Sequence, residues 1–174
     1  MKKVLLLMVA VLMISSVAMA DHVGMYNDQA GTSCLLAPGF DSGTYGFIIH
    51  KFSVGATGVR FKVNFPAGSA VFAFTPAGAF SALGTLTSDM SVGYGGCQNS
   101  GAIVVGSIVA SLAPGAGAVV AADLQTSVVF TDCGFTQKDC TGGTFTIGAS
   151  GSTACTDPNA TEPTTWGSVK ALYR

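Results

Sequence analysis

Glycine interrupts this chain 23 times in 174 residues, and between the interruptions lie short apolar runs without helical periodicity. Glycine lacks a Cβ, so it suits turns and is unfavourable by about 0.5–1 kcal/mol inside helices and strands. A chain divided in this way is built from short strands and turns. The glycines keep no fixed period, which excludes collagen and repeat solenoids. The clearest strand is residues 58–65, where Val59, Phe61, Val63 and Phe65 alternate with Arg60, Lys62 and Asn64. A period of two places the first set on a buried face and the second in water. Pro66, Ala67 and Gly68 then break the ladder.

Comparable segments at 45–52, 70–74, 90–94, 103–112, 119–122, 127–131 and 144–147 bring the expectation to eight strands. Pro114-Gly115-Ala116-Gly117 and Thr141-Gly142-Gly143 read as turns between them. Phe61, Phe65, Phe72 and Phe74 share one parity within their strands, as core residues do. The predicted fold is all-β, an antiparallel β-sandwich of Greek-key or jelly-roll type, with a barrel as the second arrangement. A membrane barrel needs strands of roughly 10 residues with outward apolar faces, and most of these are shorter.

The first 20 residues form a separate object. Lys2 and Lys3 precede an apolar run from position 4 to 14, and Ala18-Met19-Ala20 supplies small residues for cleavage. Together these read as a secretory signal removed after Ala20, because the run is shorter than the roughly 20 residues a membrane span needs. The predicted organisation is 1–20 leader, 21–152 sandwich, and 153–174 a linker with a short C-terminal helix or tail. In that tail Trp166, Val169, Leu172 and Tyr173 recur at helical spacing. The location expected is extracellular, cell-surface or periplasmic, with no membrane span after cleavage.

Five cysteines, Cys34, Cys97, Cys133, Cys140 and Cys155, follow the leader in a chain routed to where disulfides persist. No C-x-x-C is present, and neither His22 nor His50 lies near them in sequence, so bridges are preferred over zinc. The pairing favoured is Cys34 with Cys97, and Cys133 with either Cys155 or Cys140. An odd count leaves one thiol unpaired or shared with another chain.

Lys and Arg number 8, Asp and Glu 9, and the basic residues are scattered, so no patch suits nucleic acid. A serine or cysteine nucleophile needs a base, and beyond the leader only His22 and His50 are offered. His22 reads as an exposed terminal residue able to hold copper only with a new amino terminus. His50 reads as a partly buried structural residue on the face of Ile48 and Phe52. The hydrolase elbow, zincin helix and phosphate loop are missing from the sequence, and Gly93-Tyr94-Gly95-Gly96 lacks the spacing of a dinucleotide loop.

Asp28, Asp41, Asp89, Asp123, Asp132 and Asp139 supply the carboxylates for an unrecognised hydrolase site, without a telling arrangement. No cofactor is implied. Calcium on these loop aspartates is an ion to consider, although no D-x-[DN]-x-[DN]-G loop occurs. Tyr26, Tyr45, Tyr94 and Trp166 are the candidate ligand-contacting rings, since sugars are held on exposed tyrosine and tryptophan. Asn159-Ala160-Thr161 fits an N-glycosylation site.

Residues 58–66, together with Gly106-Ser107-Ile108-Val109-Ala110-Ser111-Leu112, resemble strands of cohesin-like and related carbohydrate-binding bacterial β-sandwiches, and the whole resembles short secreted bacterial proteins. The resemblance spans about residues 45–131 and implies fold more than function. In the cohesin family the partner is a calcium-binding dockerin module, but no partner-contact motif is matched. The expected function is a non-catalytic secreted module that binds a protein, a glycan or its own copies. The alternative is a secreted hydrolase using unrecognised carboxylates.

Overall fold

The strand read most clearly from sequence lies at the centre of the structure. The computed structural model describes residues 21–40, 45–51, 53–148 and Cys155. Within it β5 spans Ala56–Asn64, and Val59, Phe61 and Val63 are buried while Arg60, Lys62 and Asn64 face outward. The alternation therefore holds, and it fixes which face of β5 enters the core.

Among the described residues thirteen strands surround that core. In chain order they are β1 (His22–Tyr26), β2 (Leu35–Leu36), β3 (Gly39–Phe40), β4 (Gly46–Lys51), β5, β6 (Ala70–Pro76), β7 (Ser81–Thr85), β8 (Asp89–Gln98), β9 (Ala102–Leu112), β10 (Gly115–Val120), β11 (Val128–Asp132), β12 (Gln137–Gly142) and β13 (Thr144–Ile147). One layer runs β12-β1-β4-β9-β6, with β3 also on β9. The other runs β7-β8-β5 and then divides. β11 pairs the first half of β5, and β10 pairs the second half before leading to β13 and β2. Pairing is antiparallel except for β1 with β12 and β13 with β2. The hydrogen-bonded path is open at both ends, so the fold is an all-β sandwich and not a closed barrel.

Three departures from the sequence expectation have local causes. At β1 the sequence predicts an exposed His22, yet all five residues are buried because β12, β4 and the β10–β13 region enclose them. A strand covered on both faces shows no alternation. In β4 the register shifts between Ile48 and Ile49, so both isoleucines and His50 are buried in succession. In β6 a shift between Val71 and Ala73 leaves Phe72 60% exposed while Val71 and Phe74 pack against the core. Phe72 is therefore not a core residue.

The predicted turn at 114–117 is also corrected, because β10 already begins at Gly115. Gly117 stands where a Cβ would strike the Phe145 ring, so glycine here makes room for a core aromatic and does not signal a turn.

The cysteines pair as Cys34–Cys155 and Cys97–Cys133, with Cys140 free and buried, and not as Cys34–Cys97. Register explains the second bridge. Ala56 on β5 faces Gln98 on one side and Asp132 on the other, which brings Cys97 and Cys133 together above Gly55, at Cα–Cα 5.2 Å. Gly55 has φ 129°, and a Cβ there would meet the Cys133 Sγ. The leader, the glycosylation motif at Asn159 and the C-terminal tail lie outside the described residues, Cys155 excepted.

Phe61→Ala is expected to destabilise by about 3–5 kcal/mol, through lost burial and an unfilled cavity. Lys62→Ala, on the opposite face in a partly exposed pair with Asp123, is expected to change stability by no more than about 0.5 kcal/mol. Urea unfolding of both variants measures the difference. The bridges give a second expectation: without reductant the native protein resists alkylation, and denaturation releases one reactive thiol, which peptide mass mapping assigns to Cys140. Labelling of any other cysteine would refute the pairing.

Candidate functional site

The side chains best suited to chemistry converge in the core. His50 on β4 is 0% exposed, with Nε2 2.9 Å from Asp21 Oδ1 and Nδ1 3.2 Å from the Tyr94 hydroxyl. With Asp21 ionised, Nε2–H donates to it, and Nδ1 accepts from the tyrosine. Beside this chain, His22 Nδ1 is 2.9 Å from Thr141 Oγ1, and the Asp21 carbonyl accepts from the Thr141 amide. His22 is 1% exposed and is thus not the exposed terminal residue expected from sequence.

Burial sets the electrostatics. It raises the Asp21 carboxyl to about 6, against hydrogen bonding and the Lys138 charge that lower it. It lowers His50 to about 4, and His22 adds to the effect. Burial also pushes the Tyr94 phenol well up and the Cys140 thiol up to about 12. The histidine is therefore neutral and sealed from solvent, and the thiol is held in its unreactive form. The arrangement is a strut between strands.

The candidate rings are placed differently from an exposed platform. Tyr26 and Tyr94 are 0% and 2% exposed, and Tyr45 is half-buried against the core. The Lys51 ammonium lies 4.4 Å from the centroid of Tyr26. Both Tyr26 and Tyr94 fall on buried positions of β1 and β8, which is why they are not free to stack on a ligand. Trp166 lies outside the described residues.

Each described candidate carboxylate has a structural task. Asp28 accepts hydrogen bonds from the Thr32 and Ser33 amides, and Asp132 from those of Gly134 and Thr136. Asp89 is held by Arg60, Asp123 by Lys62, and Asp132 also by Lys138. Asp139 accepts from the Ser127 hydroxyl. Asp41 lies outside the described residues. Among the described residues no three His, Cys, Asp or Glu side chains gather as a metal-holding group.

Among the described residues, the outer face of β7-β8-β5-β11 has no strand packed on it. Register aligns Leu83, Ser91, Arg60 and Val129 in one row across four strands. Leu83 is 78% exposed. Arg60 is fixed by a two-pronged contact with Asp89, Nε to Oδ1 at 2.8 Å and Nη2 to Oδ2. A shallow depression of about 330 Å³ beside them is lined by Thr57, Gly93, Thr131 and Gln137 among others. A rigid sheet carrying one protruding apolar side chain and one fixed ion pair is suited to meeting another surface. Sequence reasoning missed this site because β7 is five residues long and contains Gly84 at φ 93°, leaving too little alternation to read.

No protein-family model matches the chain, and no curated protein matches its sequence. Solved structures do match the fold. The cohesin module from a Clostridium perfringens family 33 glycoside hydrolase aligns with TM-score 0.52 at 5% identity, over 75% of this chain and 98% of that one. A non-cellulosomal cohesin from the hyperthermophilic archaeon Archaeoglobus fulgidus aligns with TM-score 0.46 at 12% identity, over 74% and 91%. The chain is thus a β-sandwich of cohesin-like fold, as its strands at 58–66 and 106–112 suggested.

The buried pair predicts opposing pH slopes. A carboxyl with raised folded pKa stabilises fully below 3.8 and loses that contribution as pH rises through about 6. An imidazole with lowered folded pKa stabilises above 6.5 and loses it as pH falls through about 4. In the wild type the slopes offset one another between pH 4 and 6. Relative to it, Asp21→Asn should lose stability on acidification across this window, and His50→Gln should gain it, each by at most about 1.4 kcal/mol per pH unit. Urea titrations at several pH values test the signs, and equal slopes in both variants would sink this reading.

Proposed function

We propose that this protein is a secreted, non-catalytic module that docks a protein partner on the outer face of β7-β8-β5-β11. One observation carries the reading: the histidines are buried and the described carboxylates are engaged in turns and ion pairs, while this face stays open with Leu83 78% exposed. The cohesin-like fold supports it, because the Clostridium perfringens counterpart is a module of a larger enzyme. A flat, register-fixed sheet suits a protein surface better than a small molecule, which requires concave enclosure. Two disulfides favour an oxidising compartment. Cleavage after Ala20 leaves every described strand intact, since β1 begins at His22. The sandwich would then occupy 21–152, with 153–174 as a tail.

The test uses protein recovered from outside expressing cells, whose amino terminus should be Asp21. Immobilised wild type, Leu83→Asp, Arg60→Glu and Leu124→Asp are offered the extracellular proteins of the source cells. Leu124, 82% exposed, is the control. A protein retained by the wild type and the control, and held at least about tenfold more weakly by the two face variants, is the expected result. Equal retention by all four, or binding to a glycan array with no protein retained, would overturn the proposal.

A further inference from the structure

Three connections meet at one end of the sandwich. β4 closes at Lys51, whose partners His22 and Ala102 open β1 and β9. β5 opens at Ala56, whose partners Gln98 and Asp132 close β8 and β11. Residues 53–55, 99–101 and the β11–β12 turn at 133–136 therefore gather there. Gly55 sits among them, since a Cβ on it would meet Asn99 Oδ1 at 2.8 Å and Cys133 Sγ at 2.9 Å. The Cys97–Cys133 bridge ties the cluster covalently.

Two apolar side chains project from it, Val54 at 82% and Phe135 at 80% exposed. Among the described residues Phe135 is the one non-glycine residue with positive φ, at 61°. A side chain crowds the backbone in that region, so glycine and asparagine are its usual occupants and a bulky ring is an outlier. The turn holds it in place. The Phe135 amide donates to the Asp132 carbonyl, the Asp132 amide to the Thr136 carbonyl, and the Gly134 and Thr136 amides to Asp132 Oδ1. Strain carried for a ring that the core does not bury serves something outside the fold.

The surroundings suit an apolar phase. No Asp, Glu, Lys or Arg occurs in 53–55, 99–101 or 133–136. The charges at the bases of these loops are engaged, Asp132 with Lys138, Asp21 with His50, and Lys51 with the Gly31 carbonyl. The Gly55 amide donates to Ser53 Oγ, and those of Gly134, Phe135 and Thr136 are bonded to Asp132. Leaving water strands none of these donors, which is what an apolar medium demands of irregular backbone.

The path of the chain selects the occupant. With residues 1–20 read as a secretory leader, as in the docking proposal above, the chain reaches the sandwich from a membrane, and β1 receives it at this same end. We propose that this end dips Val54 and Phe135 into the surface of a lipid bilayer, as a peripheral contact with no spanning segment. A protein pocket would have to match two tips on separate loops, whereas a fluid apolar layer takes both without a matched shape. Because the loops carry no cation, the contact depends on apolar burial and not on anionic headgroups.

Flotation of oxidised protein beginning at Asp21 with phosphatidylcholine vesicles, with and without phosphatidylglycerol, tests the contact. The wild type should float with both, and added salt should leave the floated fraction unchanged. Phe135→Gly should bind at least about tenfold more weakly, the loss expected when one buried phenyl side chain is removed. Its melting temperature should stay within about 2 °C of the wild type, because relief of the left-handed backbone offsets the freedom glycine adds to the unfolded chain. Val54→Ser should also weaken binding, and Leu124→Ser, beside the Lys62–Asp123 pair, should not. Wild type that does not float, binding that needs phosphatidylglycerol or falls with salt, equal loss in Leu124→Ser, or a lower melting temperature for Phe135→Gly would each refute the proposal. Wild type that ignores the vesicles but holds a protein or a second copy through Phe135 would place a different occupant there, and refute it as well. Leu83→Asp and Arg60→Glu should float as the wild type does, so failure here and failure of partner docking on their face are distinguishable.

Discussion

The register of β5 is the constraint on which the other strands depend. Val59, Phe61 and Val63 must face inward, and a slip of one residue would drive Arg60 and Lys62 into the core, at several kcal/mol for each unpaired charge. With the register fixed, both edges of β5 are fixed too. One edge takes β8. The other is shared, by β11 along Val59 and Arg60 and by β10 along Lys62 to Asn64. Because two strands share one edge, they must part company, and each leads elsewhere. β11 turns into β12, which pairs with β1 and so joins the second layer. β10 turns instead through β13 to β2. Even the Cys97–Cys133 bridge follows from β5, since Ala56 sets the positions on either side of it.

The buried polar chain is the second link between the layers. Tyr94 belongs to β8, His50 to β4, and Asp21 directly precedes β1, so one line of hydrogen bonds crosses the sandwich. The His50 ring also lies 5.3 Å from that of Phe130 on β11. Buried polar groups are costly unless bonded, and here each member of the chain has a partner. Removing one member would leave its neighbour without a partner inside the core, a cost of about 1–3 kcal/mol. The same satisfaction makes the group inert. A buried histidine whose two nitrogens are both engaged has no spare valence for a substrate.

What the sequence made legible was governed by one-sided burial. β5 and β8 have one wet face, and their alternation is plain. β1 has none, and nothing in His-Val-Gly-Met-Tyr marks it as a central strand. β12 was invisible for the opposite reason: Gln137, Lys138 and Asp139 are exposed and only Cys140 is buried. Bulges were unreadable because a single inserted residue inverts parity, as Phe72 shows. The pairing of cysteines depends on which strands are neighbours, and that is long-range information. Of the candidate site, Arg60 was recognised as outward-facing, but its row-mates Leu83 and Val129 required the register of three strand pairs.

The chain distributes its charge in a way that matches the two sides of the sandwich. On the joined side, β12 bridges the layers, and Lys138, Asp139 and Asp132 cluster around it, with Arg60 and Lys62 on the adjoining β5 and their partners Asp89 and Asp123 beside them. There the edges of the layers already have partners within the fold, and charge costs little because it stays wet and paired. At the far end of both strand orders stand β6 and β7, inside the uncharged interval from Val63 to Ser88. At the first side the layers are linked through β12 and the Asp21–His50–Tyr94 chain. Among the described residues β6 and β7 each pair with one strand only, and neither carries a charged side chain.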